Sequence, residues 1–228
     1  MAARVPIFLD REDAGRQLAN ALSESRLPVD ALVLGLPRGG VVVAAKISEA
    51  LRLPLDVFVV RKLGLPGHEE LAMGAIATGG VTLLNRKLVR DEGLSDAEVE
   101  RVIYTERDEL ARRERLFRGG RPPLDVRGRT VVIVDDGLAT GSTMRAAVAA
   151  LRREGPRRIV MAVPVSSTDA LADLMSRVEE TVCLATPEPM HAIGEWYQVF
   201  EQTSDAEVTA CLARRAPTGA VRDEPRRA

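Results

Sequence analysis

The amino-acid sequence predicts an α/β protein with an open, mainly parallel sheet flanked by helices, a small hood and a helical insertion. Short apolar runs rich in Val, Leu and Ile alternate with segments of helical periodicity along most of the chain. Turns containing Gly and polar residues follow several of these runs, as is typical of the carboxyl edge of a parallel sheet. The chain has 228 residues and is 46% hydrophobic and 29% charged, which suits one folded domain with elaborations.

Composition and charge exclude several classes of function. The formal net charge is −1, so no overall positive field would attract nucleic acid, and we expect no nucleic-acid partner. The N-terminus has no apolar signal core and no apolar run reaches membrane-spanning length, so we expect a cytoplasmic protein without membrane contact. Cys183 and Cys211 are interpreted as reduced thiols, and no Cys or His spacing is typical of a zinc site.

The first predicted elements are a helix, a strand and a second helix. Residues 7–10 lead into a helix for which Asp10 is the predicted N-cap. A turn containing Pro follows, then a buried strand at residues 31–34 and a helix at residues 41–51.

The turn between that strand and that helix has the sequence Pro-Arg-Gly-Gly. Gly39 and Gly40 permit a tight turn whose backbone N–H groups face an anion. The Arg38 guanidinium is a permanently charged fork that suits phosphate oxygens. The turn therefore predicts an anion site.

The next predicted strand, at residues 55–60, ends in two adjacent cations, Arg61 and Lys62. Residues 63–70 contain one Pro and two Gly and are predicted to form a mobile loop. His68 lies in that loop, and we interpret it equally well as a functional side chain or as an exposed histidine.

A hairpin and a charged insertion follow. The hairpin is predicted at residues 73–84 across a Gly-Gly turn. The insertion spans residues 85–125, and Ser95 and Glu98 have the spacing of a capping box. We interpret its many arginines as a solvated helix face in preference to an anion-binding surface. The insertion could instead pack on a partner subunit.

Residues 131–143 are the most informative stretch. Four apolar residues suit a buried parallel strand, and Asp135 and Asp136 follow where that strand ends. Two glycines in the next loop let backbone N–H groups approach a ligand closely. Ser142 or Thr143 is predicted to cap the helix that follows, and the N-terminus of a helix binds anions, most often phosphate.

The remaining elements complete the alternation. Helices are predicted at residues 142–153, 169–177 and 204–212, strands at residues 158–163 and 181–184, and a disordered tail at residues 215–228. Trp196 and Tyr197 belong to an aromatic cluster that we interpret as a core plug first and as a wall against a base-like acceptor second.

Residues 131–143 resemble the motif that binds phosphoribosyl pyrophosphate (PRPP) in type I phosphoribosyltransferases. The order of motifs along nearly the whole chain is similar to that of a family of uncharacterised bacterial proteins with a phosphoribosyltransferase domain. The resemblance implies the type I phosphoribosyltransferase fold for one domain at residues 1–214, with hood elements at residues 1–10 and 186–212, and a homodimer. It also implies that the Arg38 turn holds pyrophosphate and carries a cis peptide.

The same resemblance implies Mg²⁺-dependent transfer of phosphoribosyl from PRPP to a nucleobase or small nitrogen acceptor, with release of pyrophosphate. The implied catalytic residues are Asp135, Asp136, Arg38 and Lys62, and the two acids would also hold Mg²⁺, partly through the substrate. The implied 5′-phosphate site comprises Gly137, Leu138, Ala139, Thr140, Gly141, Ser142 and Thr143. The implied pyrophosphate site comprises Arg38, Gly39, Gly40, Arg61 and Lys62. Further candidates for loop or acceptor contacts are His68, Glu69, Ser166, Trp196 and Tyr197.

The acceptor is left open by the sequence. Ala139 stands where 6-oxopurine members of the family carry an Asp, which argues against hypoxanthine or guanine. The Arg38 turn also lacks the acid that adenine-specific members place nearby. The predicted mobile loop lacks a second lysine, so a regulator that binds PRPP without transferring it is the alternative function. A phosphatase is disfavoured, because the sequence shows no pair of nucleophile and base.

Overall fold

A computed structural model describes residues 6–213 of the chain. The predicted tail at residues 215–228 and the first five residues of the predicted hood lie outside the described residues.

The described chain alternates strands and helices in the predicted manner. The strands are β1 (Leu32–Gly35), β2 (Leu55–Val57), β3 (Val60–Leu65), β4 (His68–Ala77), β5 (Val81–Leu84), β6 (Thr130–Val134), β7 (Arg158–Val165) and β8 (Glu180–Ala185). The helices are α1 (Arg11–Leu22), α2 (Gly39–Leu51), α3 (Arg86–Asp91), α4 (Asp96–Arg118), α5 (Ser142–Glu154), α6 (Thr168–Met175) and α7 (Asp205–Ala213).

The main sheet is parallel and has five strands in the order β2-β1-β6-β7-β8. Because all five strands run in the same direction, their carboxyl ends meet at one edge. The predicted open, mainly parallel α/β architecture is confirmed.

The two faces of this sheet are covered by different helices. Val33, Val132 and Val160 pack in one apolar cluster with buried residues of α1 and α2. Leu34 and Ile133 belong to a second cluster with buried residues of α5 and α6. Successive residues of a strand point to opposite faces, so β1 and β6 contribute to both cores and read as continuous apolar runs.

The predicted strand at residues 55–60 is two strands in different sheets. β2 ends at Val57, and the backbone N–H of Phe58 still donates to the carbonyl of Gly35 at 3.0 Å. β3 begins at Val60 and pairs with β4 in a second sheet, which is antiparallel and has the order β3-β4-β5. An apolar run does not show where a chain leaves one sheet for another.

The prediction of a mobile loop at residues 63–70 is wrong for most of its length. Most of this segment belongs to a β3–β4 hairpin, with the turn at Pro66 and Gly67. Leu63 and Leu65 are buried, so alternation of apolar residues extends the strand past the first glycine. Gly64 lies at a register shift between the strands and Gly67 has φ 80°, so the glycines mark a bulge and a turn.

The hood is small, and the insertion is helical as predicted. The backbone N–H groups of Ile7 and Phe8 both donate to the carbonyl of Trp196 at 3.0 Å, which joins the two parts of the hood. α7, which lies within the second predicted hood segment, packs against α2 and α4. The predicted capping box of Ser95 and Glu98 is present at the start of α4.

Among residues 6–213, no helix combines the length and the apolar character that crossing a membrane requires.

Candidate phosphate-binding active site

Two adjacent carboxylates stand at the carboxyl edge of the main sheet. β6 is buried throughout and ends at Val134, so Asp135 and Asp136 follow where the strand leaves the core. The backbone N–H of Asp136 donates to Oδ1 of Asp135 at 2.9 Å. The predicted position of the acid pair is confirmed.

Asp136 has a cationic partner that the sequence did not reveal. Nε of Arg11 donates to Oδ2 of Asp136 at 2.7 Å. The Arg11 guanidinium also donates through Nη1 to the carbonyl of Glu201 at 2.7 Å and lies 3.8 Å from the centre of the Phe200 ring. Arg11 and Asp136 are 125 residues apart, and an arginine in the first turn of a helix is too common to signal such a pair.

The aromatic cluster that contains Trp196 and Tyr197 contacts the backbone of the acid pair. Trp196 and Tyr197 are 8% and 4% exposed and pack with Phe8 in a small apolar core within the hood. The interpretation of a core plug is confirmed, and neither ring is available as a wall against an acceptor. Tyr197 still serves the site, because its hydroxyl donates to the backbone carbonyl of Asp136 at 2.6 Å.

Burial sets the electrostatics of the pair. Desolvation raises the pKa of Asp135 well above its usual value, and the neighbouring charge of Asp136 raises it further. The Arg11 guanidinium opposes this shift in the pKa of Asp135. Burial also raises the pKa of Tyr197, with Asp136 as the second cause, so its phenol stays protonated and donates.

The Arg38 turn abuts the acid pair. The Pro37–Arg38 peptide is cis, as the resemblance implied. A Cβ on Gly39 would overlap Oδ2 of Asp136, and a Cβ on Gly40 would lie 2.8 Å from Cα of Asp135. The glycines are therefore required by close approach. Arg38 itself is directed toward α7, where Nη1 lies 3.8 Å from Oδ1 of Asp205.

The loop between β6 and α5 is fixed by hydrogen bonds to residues at the end of β7. The backbone N–H of Leu138 donates to the carbonyl of Val165 at 2.9 Å, and the Ser167 hydroxyl donates to the carbonyl of Ala139 at 2.7 Å. Ser166, predicted as an acceptor contact, is fully buried beneath the loop, and its hydroxyl donates to the carbonyl of Ser167 at 2.9 Å. Ser167 was missed, although a Ser-Ser pair after a strand is a recognisable turn signal.

The helix cap differs from the prediction. Neither Ser142 nor Thr143 caps α5, since the N-cap is Gly141, with φ 67° and no side-chain hydrogen bond. The backbone N–H of Ser142 contacts the Thr140 hydroxyl at 3.4 Å. Gly141 itself has no side chain that could occupy the N–H groups of the first turn, which suits an anion site at the start of α5.

These groups surround a cavity of about 240 Å³. It is lined by Lys62, Asp135, Asp136, Gly137, Leu138, Ala139, Thr140, Gly141, Ser142, Thr143, Met144 and Ile193. The structure thus brings together both acids, one of the two strand-end cations and all seven residues predicted for the 5′-phosphate. Ile193 was missed; its side chain comes within 2.6 Å of where a Cβ on Gly137 would lie, so that glycine admits it.

Arg61 lies outside this cavity. Its Nε donates to Oε2 of Glu106 on α4 at 2.7 Å, and the two side chains line a second cavity of about 410 Å³ between the β3–β4 hairpin and α4. Lys62 lines this second cavity as well as the first, whereas Arg61 does not reach the first. His68 and Glu69 are exposed near the hairpin tip and do not line the first cavity.

The acids offer a limited set of metal ligands. Among residues 6–213, no group of three or more His, Cys, Asp or Glu side chains could hold a metal ion. Mg²⁺ commonly binds through one or two carboxylates together with waters and substrate phosphates. Asp135 and Asp136 therefore fit a Mg²⁺ ion that arrives with a phosphorylated substrate, and they do not form a metal cage.

Comparison with known proteins agrees with this geometry. The model of the phosphoribosyl transferase domain family matches residues 9–178. A Mycobacterium tuberculosis protein named "Putative phosphoribosyl transferase" is 48% identical over 208 residues, covering 91% of this chain and 47% of that protein. The "Bifunctional protein PyrR" of Brevibacillus brevis is 38% identical over 105 residues, covering 43% of this chain and 59% of that protein. The chain spans about half the length of the mycobacterial relatives.

Solved structures share the fold. The crystal structure of TT1426 from Thermus thermophilus is 43% identical with a TM-score of 0.81, covering 92% of this chain and 99% of that one. A Neisseria gonorrhoeae protein solved with bound ppGpp is 13% identical with a TM-score of 0.51, covering 93% and 98%, and shows the fold alone. Because the family model extends over residues 9–178, which is most of the chain, the chain belongs to the phosphoribosyl transferase domain family.

Proposed function

We propose that this chain transfers the phosphoribosyl group of PRPP to a nitrogen nucleophile, a nucleobase or a small amine, and releases pyrophosphate with the help of Mg²⁺. The observation that carries the proposal is the cavity in which the acid pair, Lys62 and the N-terminus of α5 converge. In the reaction the bond between C1′ and the pyrophosphate oxygen breaks, pyrophosphate keeps the electron pair, and the nitrogen forms the new bond to C1′. The nitrogen gives up a proton, which the departing pyrophosphate or water accepts.

The 5′-phosphate would bind at the start of α5. Backbone N–H groups in the first turn of a helix and its positive dipole end attract a phosphate. The hydroxyls of Thr140, Ser142 and Thr143 lie in the same lining and can donate to the remaining phosphate oxygens. Fixing the 5′ end in this way would place the ribose over the acids.

The acid pair would stabilise the reacting ribose. Positive charge develops on the ring as pyrophosphate leaves, so fixed negative charge beside the ring lowers the barrier. Asp136 is paired with Arg11, and Tyr197 holds its backbone, so the carboxylate needs little reorganisation during the reaction. The acids can also accept hydrogen bonds from the ribose hydroxyls.

The pyrophosphate would lie between the Arg38 turn and Lys62. The Gly39–Gly40 backbone abuts the acids, and Lys62 reaches the cavity from β3, so both are positioned for the anion that leaves C1′. Bound Mg²⁺ supplies positive charge to the pyrophosphate oxygens and would be held through Asp135 and Asp136. The homodimer implied by the resemblance stays a prediction.

A PRPP-binding regulator is the second candidate, and one observation favours it. Arg61 is bound to Glu106, and His68 and Glu69 lie outside the cavity. Lys62 is therefore the one residue of the β3–β4 hairpin that lines the cavity as the described residues form it. Transferases need enough cationic charge to stabilise the leaving pyrophosphate, whereas a binding protein does not.

One experiment separates the two candidates. The protein is incubated with Mg²⁺, PRPP and a panel of nucleobases and small amines, and pyrophosphate release is measured beside calorimetric PRPP binding. Release that depends on one acceptor is expected for the transferase. Tight PRPP binding without release across the panel supports the regulator, and the absence of PRPP binding contradicts both.

A further inference from the structure

We propose that Arg11 is the positioning residue of this site: it orients the Asp136 carboxylate for the phosphoribosyl reaction, an assignment that rests on the proposed function. The ion pair is direct, with Nε of Arg11 at 2.7 Å from Oδ2 of Asp136. Both side chains are nearly enclosed, at 12% and 14% exposure. Water screens such a pair weakly, so its geometry is better defined than that of a surface ion pair.

Arg11 is itself held by its surroundings. Asp10 caps α1, with its Oδ1 accepting from the Asp13 backbone N–H at 2.7 Å, which places Arg11 at the first position of the helix. Its guanidinium donates to the carbonyl of Glu201 and stacks on Phe200. A planar fork with several directed donors can hold all these contacts at once.

Two side chains fix the position of Asp136. Arg11 holds its carboxylate and the Tyr197 hydroxyl holds its backbone carbonyl. Tyr197 belongs to the hood, and Arg11 begins α1 directly after the first hood segment. The hood and the start of α1 together therefore determine where the acid points.

The ion pair also touches the anion turn. A Cβ on Gly39 would lie 2.7 Å from Nε of Arg11 and would overlap Oδ2 of Asp136. Movement of Arg11 would therefore change both the direction of the carboxylate and its spacing from the Arg38 turn. These two groups would face the ribose and the pyrophosphate of the same substrate.

Arg11 acts through Asp136 and does not line the cavity. It lines a separate groove of about 280 Å³ with residues of the hood, on another side of the ion pair. Its effect should fall on the reaction step, because a misplaced catalytic group costs rate even where the substrate still binds.

The test compares Arg11→Ala with Arg11→Lys, and uses Arg16→Ala as a control on the same helix. The Arg16 side chain is 53% exposed, and its Glu12 and Asp13 partners lie 3.8 and 3.7 Å away. We expect Arg11→Ala to lower kcat by about 100-fold, the scale of a catalytic group displaced by about 1 Å, with KM for PRPP changed much less. Arg11→Lys should restore at least part of kcat, and Arg16→Ala should match the unaltered protein.

A second measurement tests the Arg11–Asp136 pair through stability alone. It therefore remains informative if a variant folds poorly or if the proposed function is wrong. Thermal unfolding of Arg11→Ala, Asp136→Asn and the double variant, without ligand, gives the coupling between the two side chains. Additive effects overturn the inference, as do equal losses of kcat in Arg11→Ala and Arg16→Ala. An unaltered protein that fails to bind PRPP contradicts the proposed function instead, and the unfolding cycle then decides the Arg11–Asp136 pair on its own.

Discussion

At the residue level, the short distance between the acid pair and the Arg38 turn depends on two glycines, which have no side chain. Gly39 and Gly40 let the turn approach Asp136 and Asp135 more closely than any residue with a Cβ could. The Arg38 turn and the carboxylate pair can therefore lie next to each other only because both residues are glycine. Both segments come from separate parts of the chain, so their contact is a property of the fold.

We therefore predict that Gly39→Ala disrupts the site. The added methyl group overlaps the Asp136 carboxylate, so the turn and the acid must move apart, at a cost of roughly 1–3 kcal/mol in unfolding free energy. PRPP affinity, measured by calorimetry, should fall by at least tenfold. Gly120→Ala is the matched control, because nothing lies within 4 Å of a Cβ at that position. Equal PRPP affinity in both variants would contradict the assignment of the turn.

Asp135 should illustrate a conflict between stability and function. Burial and the charge of Asp136 raise the pKa of Asp135 in the folded protein, so ionisation at neutral pH opposes folding. Asp135→Asn keeps an acceptor for the Asp136 N–H and removes the buried charge. We expect it to raise the thermal midpoint at pH 7 by a few degrees while weakening PRPP binding.

The pH dependence of this gain has a definite sign. A raised pKa in the folded state means that the stability of the unaltered protein falls as pH rises through that pKa, relative to strongly acidic solution. Below the carboxyl pKa of the unfolded chain both states are protonated, so the advantage of Asp135→Asn should vanish there. Melting curves across pH, with EDTA present, would measure this; an advantage that grows toward low pH would contradict it.

At the element scale, β3 places two neighbouring cations differently. Lys62 lines the cavity beside the acids and also the cavity next to α4, whereas Arg61 lines only the cavity next to α4 and is bound to Glu106. The sequence placed both residues at one pyrophosphate site because it treated them as the end of a strand entering a loop.

This difference predicts opposite outcomes for two neighbouring substitutions. Lys62→Ala should weaken PRPP binding by about tenfold, the scale of one charge-assisted hydrogen bond, with little change in stability. Arg61→Ala should leave PRPP affinity unchanged and lower the unfolding free energy by about 1 kcal/mol, because the ion pair with α4 is only partly buried. Calorimetry and thermal unfolding of both variants decide, and Glu106→Gln should reproduce the Arg61→Ala result. A loss of PRPP affinity in Arg61→Ala would show that Arg61 reaches the substrate.

The long helix α4 behaves as the sequence indicated. Val99, Leu110 and Phe117 are buried and pack into the apolar cluster that also contains residues of α1 and α2, while Arg112 and Arg113 form ion pairs within the helix. Arg112 and Arg113 both bond Glu109 and lower the pKa of Glu109 to about 2. This arrangement supports the interpretation of a solvated face over that of an anion-binding surface.

In the whole molecule, a buried ion pair outside the cavity beside the acids joins the insertion to the main sheet. Nε and Nη2 of Arg118 donate to the two oxygens of Asp56 on β2, each at 3.1 Å. Arg121 lies 3.7 Å from the same carboxylate and also donates to the carbonyl of Leu212 on α7. The end of α4, the edge of the sheet and α7 meet at this one carboxylate.

Asp56→Ala should therefore destabilise the protein without altering its chemistry. It leaves the Arg118 guanidinium, which is 10% exposed, without its carboxylate, and breaking a buried pair from one side costs about 3 kcal/mol. Chemical denaturation should show the loss in unfolding free energy, and PRPP affinity should be unchanged below the transition. Asp125→Ala, in the exposed connector nearby, is the control. A change in PRPP affinity in Asp56→Ala would mean that the insertion is coupled to the site.

Local sequence patterns were enough to predict the parallel α/β architecture, the order of most elements, and the position of the acid pair and of the small-residue loop after it. Apolar periodicity, small turn residues and a contiguous motif depend on neighbours within a few positions. The β3–β4 hairpin and the cap of α5 were predicted wrongly, because they depend on which surface a segment packs against, and a local pattern does not carry that information.

The completion of the site depends on contacts between segments that are far apart in the sequence. Arg11 binds Asp136 although the two residues are 125 positions apart, and Tyr197 binds the backbone carbonyl of the same residue. Ile193 lines the cavity, whereas Arg61 is bound to Glu106 outside it. The physical reason is that a buried carboxylate requires a partner, while any arginine on a neighbouring surface could serve. The sequence shows that the acids need partners, and the packing of the hood selects which residues they are.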